Sequence, residues 1–206
     1  MNVGIVPYIE TVNKLQQTIV ILRDVSASME KTIDYENDVM RFFFREGREN
    51  RFINRHLICL IDFSEEPKVV LDWTLLKFAN PELTFEADGI TDVNKAVMFA
   101  IEKCESKIEE FSNARIPYGP PLIILLTDGE PTSSIEESVR IVQEKRLEKD
   151  GNGNPKFIFL PIYVGDGEAP GALRRYANYV PVARSPETYE LLRNIFYPSY
   201  ISQTTG

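Results

Sequence analysis

An aspartate and two serines stand on alternate positions, Asp24, Ser26 and Ser28, inside the stretch TIVILRDVSASM. One carboxylate and two hydroxyls in a loop of small residues are hard oxygen donors, which suit Mg²⁺ or Mn²⁺ better than zinc or copper. Two more oxygen-bearing residues stand far along the chain, Thr91 in GITDVNKAV and Asp128 in LLTDGEP. Taken singly, each of these side chains could simply cap a helix or close a turn. Metal chemistry requires that three distant segments meet, so the elements that carry them decide the matter.

Residues 18–23 form a short apolar run rich in β-branched residues and nearly free of polar ones. Such a run reads as a central parallel strand covered on both faces. A helix is expected over 29–47, with Met29, Ile33, Met40, Phe43 and Phe44 near one face and Gly47 as its stop. Residues 57–63 make a second apolar strand and 68–71 a short one, while 72–89, broken by Pro81, carries no clear pattern. After Asp88–Asp92, the positions Val93, Val97, Ala100, Ile101, Cys104, Ile108 and Phe111 recur at helical intervals. A loop with three prolines, 115–121, precedes the strand 122–127 and Asp128-Gly129. Thr132, Ser133 or Ser134 is expected to cap a helix ending near Lys149. Beyond a GNGNP turn, a strand at 157–164, a short helix at 172–177, a short strand at 179–182 and a helix at 186–196 complete the order.

Strands alternating with helices of this length imply an α/β fold: a doubly wound, mostly parallel central sheet of about six strands with helices on both faces. One domain is expected to fill residues 1–206, with its core near 16–196, a lead-in at 1–15 and a polar tail at 199–206. In such sheets ligands bind beyond the carboxyl ends of the strands, where the strand order reverses. Asp24 and Asp128 each lie one residue past a central strand, and Thr91 lies in a loop before a helix. Three segments therefore deliver oxygen ligands to one edge.

These residues resemble the von Willebrand factor A domains, which include the integrin I domains. Their metal-ion-dependent adhesion site combines D-x-S-x-S, a later threonine and an aspartate at the end of the fourth strand, matched here by Asp24, Ser26, Ser28, Thr91 and Asp128. The segments DVSASM and TDGEP look most like bacterial cytoplasmic members such as the TerY-like proteins of tellurite-resistance operons. The resemblance implies that the hydroxyls of Ser26, Ser28 and Thr91 bind a divalent ion, Mg²⁺ or else Mn²⁺ or Ca²⁺, directly. Asp24 and Asp128 would then act through water or through hydrogen bonds to those hydroxyls. Two carboxylates balance one divalent ion and the hydroxyls add no charge, so a position stays open for a partner's Glu or Asp.

Two positions depart from the pattern. Ala27 replaces a common glycine, a small change unless the backbone needs a positive φ. Arg23 replaces an apolar residue; strand alternation turns it away from Asp24, so that it either pairs with Asp62 at the end of the next strand or reaches solvent at the strand end. Asp88, Asp92, Glu130 and Asp166 stand near the rim, and like Glu65 and Glu66 read chiefly as solvated loop acids.

Composition limits what else the chain can be. With 23 Lys and Arg against 31 Asp and Glu, a net charge of −8 disfavours nucleic acid and anionic membranes as partners. No apolar stretch approaches the ~20 residues of a membrane helix, and the first residues lack a signal-peptide pattern, so a cytoplasmic location is expected. Cys59 and Cys104 are expected as buried thiols. The lone histidine, His56, precedes its strand and so lies at the opposite edge from the serines, which argues against a Ser–His nucleophile. No phosphate-binding glycine loop is present. A non-enzymatic, metal-dependent protein-interaction module is the reading these residues favour. A Mg²⁺- or Mn²⁺-dependent phosphate-ester hydrolase and a metal-free adaptor are the alternatives, and nothing in the sequence specifies an oligomeric state.

Overall fold

A computed structural model describes residues 16–49, 55–80, 88–129, 131–150, 153, 155–183 and 185–196. The expected lead-in and tail, and Glu130, lie outside them. Strand β1 is Thr18–Asp24, β2 Leu57–Phe63, β3 Pro67–Leu75, β4 Leu122–Thr127 and β5 Ile158–Tyr163. They form one sheet in the order β3-β2-β1-β4-β5. The register pairs Arg23 with Asp62 and with Leu126, and β1, β2, β4 and β5 run parallel. Only β3 is antiparallel, at the edge beside β2. The chain leaves β1 for β2 on one side and returns to β4 on the other, so the strand order reverses at the carboxyl ends of β1 and β4.

Helices cover both faces. Helix α1 is Ile33–Glu49, α2 Val93–Asn113, α3 Glu136–Leu147, α4 Gly171–Arg174 and α5 Pro186–Phe196. Val20 and Leu22 of β1 pack with Val97, Ala100 and Cys104 of α2 and with Val139 and Val142 of α3. Ile19 and Ile21 pack on the other side with Val39, Met40 and Phe43 of α1 and with Leu192 of α5. Residues on successive positions of β1 thus enter two separate cores, which is why the run carries no polar alternation. Cys59 and Cys104 are both buried free thiols, as expected. Among the described residues no helix is long and apolar enough to cross a membrane.

Among the described residues the sheet has five strands rather than about six. The segment expected as a strand at 179–182 makes a single parallel bridge, Val182 to Tyr163. Tyr163 donates its N–H to the Pro181 carbonyl at 2.8 Å and accepts from Ala183 N–H at 2.7 Å. Pro181 has no N–H to extend that ladder. β3, by contrast, runs four residues beyond the expected 68–71, to Leu75.

Gly47 does not stop its helix. α1 continues to Glu49, and Gly47 is buried where a Cβ would come within 2.5 Å of Leu76 Cδ2 and 2.9 Å of Leu76 Cγ. The glycine is there to admit a buried leucine. Gly47→Ala should therefore destabilise the protein by about 1–2 kcal/mol despite alanine's better helix propensity. A lower midpoint in urea, with unchanged slope, would show it.

His56 sits at the amino end of β2, where its Nδ1 accepts a hydrogen bond from Gln17 N–H at 3.1 Å. It is 1% exposed and its Nε2 has no hydrogen-bond partner. Burial above all, and then the Arg55 charge, lower its pKa to about 4. Between the ordinary value near 6.5 and 4, the unfolded chain binds the proton that the folded chain refuses. Stability therefore falls as pH drops through that window, by about 3 kcal/mol for this one residue. Denaturation of wild type and His56→Gln at pH 7 and at pH 4.5 should show the smaller acid loss in the variant.

Candidate metal centre

The carboxyl ends of β1 and β4 bring together most of the expected donors. Asp24, the last residue of β1, is fully buried. Its Oδ1 accepts from Ser26 N–H at 2.9 Å and its Oδ2 from the Thr127 hydroxyl at 2.5 Å. Burial pushes the Asp24 carboxyl above its ordinary range, and the nearby Asp128 charge adds to that. Hydrogen bonds from Ser26 and Thr127 oppose the rise. The Ser26 hydroxyl lies 3.1 Å from that of Ser28, and the Ser28 hydroxyl donates to Asp128 Oδ1 at 2.8 Å. Four predicted donors thus form one connected chain.

Local structure explains the placement. After β1 the backbone enters a single 3-10 turn, Ala27–Lys31, instead of passing directly into the helix expected from Met29. Thr32 separates that turn from α1; its hydroxyl, with one proton to donate, lies 3.3 Å from Asp128 Oδ2 and 3.4 Å from the Met29 carbonyl. Asp128 is therefore gripped from both ends of the turn. Ser26 occupies the N-cap position of the turn yet its hydroxyl makes no capping bond. That removes the bland role for Ser26, while Asp24 does close a turn through Ser26 N–H.

Thr91 is brought to the same edge through backbone. Asp88 N–H donates to the Val25 carbonyl at 2.9 Å, and Ala27 N–H donates to the Gly89 carbonyl at 3.3 Å. Gly89 has φ +80° and a Cβ there would meet Ser64 Oγ at 3.3 Å, so this loop requires glycine. The Thr91 carbonyl accepts from Thr132 N–H at 3.1 Å and from the Thr132 hydroxyl at 2.8 Å. Ser133 donates to Asp92 Oδ1 at 2.9 Å. Thr132 and Ser133 are thus committed to the Thr91 loop; of the three expected caps only Ser134 meets α3, its hydroxyl accepting from Glu136 N–H at 3.4 Å, while the cap position itself is Ile135. Asp92, expected only as a rim acid, is the N-cap of α2, accepting from Lys95 N–H at 3.0 Å.

Arg23 forms the expected pair with Asp62: Nε to Oδ1 and Nη2 to Oδ2, both at 2.7 Å. Sequence reading missed the third member. Glu36 of α1 is fully buried, with Oε1 3.6 Å from Arg23 Nε. Burial first, and then the Asp24, Asp62 and Asp128 charges, raise its pKa well above the ordinary value, with Arg23 opposing. Neither Thr127 nor Thr32 was expected at the site. Thr127 had a signal, being the last strand residue before Asp128, whereas Thr32 and Glu36 read as ordinary helix positions.

The donor set fits a hard divalent ion. Among the described residues no ion pair involves Asp24 or Asp128. Among the described residues no group of three or more His, Cys, Asp or Glu side chains is placed to hold an ion; the oxygen atoms gathered at this edge are those of two carboxylates and the Ser26 and Ser28 hydroxyls. His56, at the opposite edge, is remote from this chemistry.

Solved structures share this architecture. A von Willebrand factor type A protein from Catenulispora acidiphila aligns with TM-score 0.62 and 20% identity, over 88% of this chain and 42% of its own. Manganese-loaded TRAP protein from Plasmodium vivax aligns with TM-score 0.56 and 16% identity, over 90% of this chain and 74% of its own. Proximal thread matrix protein 1 from the mussel byssus, with a zinc-occupied adhesion motif, gives 0.57 and 15%, over 88% of this chain and 45% of its own. The chain thus spans less than half the length of the first and third of these proteins. No protein-family model and no curated protein matches it. The likenesses establish the fold, that of von Willebrand factor A domains.

Proposed function

We propose that this chain is a metal-dependent protein-interaction module in which Ser26, Ser28 and Thr91 hold a divalent ion, with Asp24 and Asp128 supporting it. The ion would be Mg²⁺, with Mn²⁺ or Ca²⁺ as substitutes, and the partner would supply a Glu or Asp carboxylate. The observation that carries this reading is the chain of hydrogen bonds from Ser26 through Ser28 to Asp128 beside the buried Asp24. Hydroxyl lone pairs are presented where two carboxylates concentrate negative charge, and Arg23 is engaged with Asp62. When bound, the ion would supply an electrophilic position for an external carboxylate. Thr127 and Thr32 hold the two aspartates, and Gly89 shapes the Thr91 loop.

A non-enzymatic role accords with the remote, buried His56, which leaves no histidine beside the serines among the described residues. Solved relatives carrying manganese and zinc support the metal, though not its identity. A bacterial signalling assembly of the TerY-like kind as the setting rests on the DVSASM and TDGEP resemblance alone.

Titration calorimetry tests the reading. Mg²⁺ and Mn²⁺ should bind wild type at one site, and Ser28→Ala or Asp128→Ala should weaken binding at least about tenfold. Equal affinity in wild type and both variants would refute it.

A further inference from the structure

One buried acid beside the metal centre has no part in holding the ion. Glu36 of α1 is fully buried, and among the described residues neither of its carboxylate oxygens has a hydrogen-bond partner. Arg23 Nε stands 3.6 Å from its Oε1, but the guanidinium is committed to Asp62 through two bonds. This cluster adjoins the site twice. Asp24 follows Arg23 directly in β1. Glu36 N–H donates to the Thr32 carbonyl at 3.3 Å, and the Thr32 hydroxyl lies 3.3 Å from Asp128 Oδ2. The charged groups that face Glu36 are thus Arg23 and Asp24 from β1, Asp62 from β2 and Asp128 from the end of β4. Arg23 balances Asp62, which leaves Asp24, Asp128 and Glu36 with no cation of their own among the described residues. A fully buried carboxyl with no donor is costly to ionise beside two other carboxylates.

Resting on the metal-dependent reading above, we infer that Glu36 carries a proton in the metal-free protein and releases it when the divalent ion binds, so that proton and metal compete through a residue that is not a ligand. Without the ion, Asp24 and Asp128 repel a charge on Glu36. With it, their charges are balanced and that repulsion is lifted, while Arg23 remains to attract. The Glu36 O–H bond breaks, its electron pair stays on the carboxylate and the proton passes to the buffer. By linkage, Mg²⁺ affinity rises with pH wherever the proton is released. Glu36 is in this sense a positioning residue for charge, acting on the ion through Asp24 and Asp128.

Titration calorimetry with Mg²⁺ between pH 6 and pH 9, in two buffers of different ionisation enthalpy, counts the protons released. Wild type should release between about half and one proton per Mg²⁺ within that range, its affinity rising by up to about tenfold per pH unit there. Glu36→Gln, neutral like the protonated acid, should bind with the affinity that wild type has at pH 6, unchanged up to pH 9 and with no proton released. In wild type carrying ¹³C-carboxyl glutamate, the isotope-shifted infrared C=O band of a protonated glutamate should vanish on adding Mg²⁺. Absence of that band before Mg²⁺, or its persistence after, overturns the proposal without any variant. Proton release that persists in Glu36→Gln assigns the proton to another group and overturns it too. Mg²⁺ binding by wild type with no proton released at any of these pH values does the same, and each of these results leaves the metal site standing. If Mg²⁺ fails to bind wild type, the metal reading falls and takes this one with it.

Discussion

Asp24→Asn should raise the stability of the metal-free protein and abolish the stabilisation that Mg²⁺ confers on wild type. Asp24 is fully buried and its pKa is raised, first by burial and further by Asp128. A raised folded-state value means that stability is fully present below the ordinary value of 3.8 and is lost as pH rises through the folded one. At neutral pH the charge is thus carried at a cost. Asparagine keeps the shape, its oxygen can still accept from Ser26 N–H, and the Thr127 hydroxyl can turn to accept from the amide. Relief of about 1 kcal/mol is expected without metal, a rise of a few degrees in Tm. Saturating Mg²⁺, at a hundred times Kd, should stabilise wild type by about 2.7 kcal/mol and the variant hardly at all. Thermal melts with and without Mg²⁺ should therefore reverse the order of the two proteins. An unreversed order would show that Asp24 has a structural role only.

Arg23→Met should be the most destabilising of the substitutions considered, at about 3–5 kcal/mol. The guanidinium is 1% exposed and faces Asp62 through two parallel bonds, with Glu36 beside it. Removing it leaves Asp62 and the fully buried Glu36 without their shared cation. Burial already holds the Glu36 pKa well above its ordinary value, and removing Arg23, which opposes that rise, pushes it higher still. Arg23→Met with Glu36→Gln should accordingly recover part of the lost stability, and Glu36→Gln alone should be tolerated. Arg23→Lys should retain the charge but lose the two-pronged bond. Urea denaturation of the four variants gives the coupling directly; additive losses would contradict the arrangement.

The elements show where sequence reading succeeds and where it stops. The runs at β1, β2 and β4 are apolar on every position because both faces are covered, so they stand out without any neighbour being known. The stripe of α2 likewise repeats every three or four residues. Strand 179–182 failed for a reason that no pattern of apolar residues contains: Pro181 lacks the N–H that a ladder needs. Gly47 looked like a stop because glycine often is one, and only the approach of Leu76 reveals its use.

For the candidate site, the sequence by itself determined the oxygen-bearing residues, their order along the chain and the strand ends that carry them, because element type and side-chain chemistry are local properties. It offered the Arg23–Asp62 pair beside a solvent-reaching arginine, and the register of β1 on β2 decided for the pair. The tertiary structure alone decided that Thr127 holds Asp24, that Thr32 holds Asp128, that Thr132 and Ser133 serve the Thr91 loop, and that Glu36 shares Arg23. Each of those depends on which hydroxyl or carboxylate lies within about 3 Å of which partner, a distance set by the packing of whole helices against the sheet and carried by no spacing in the sequence.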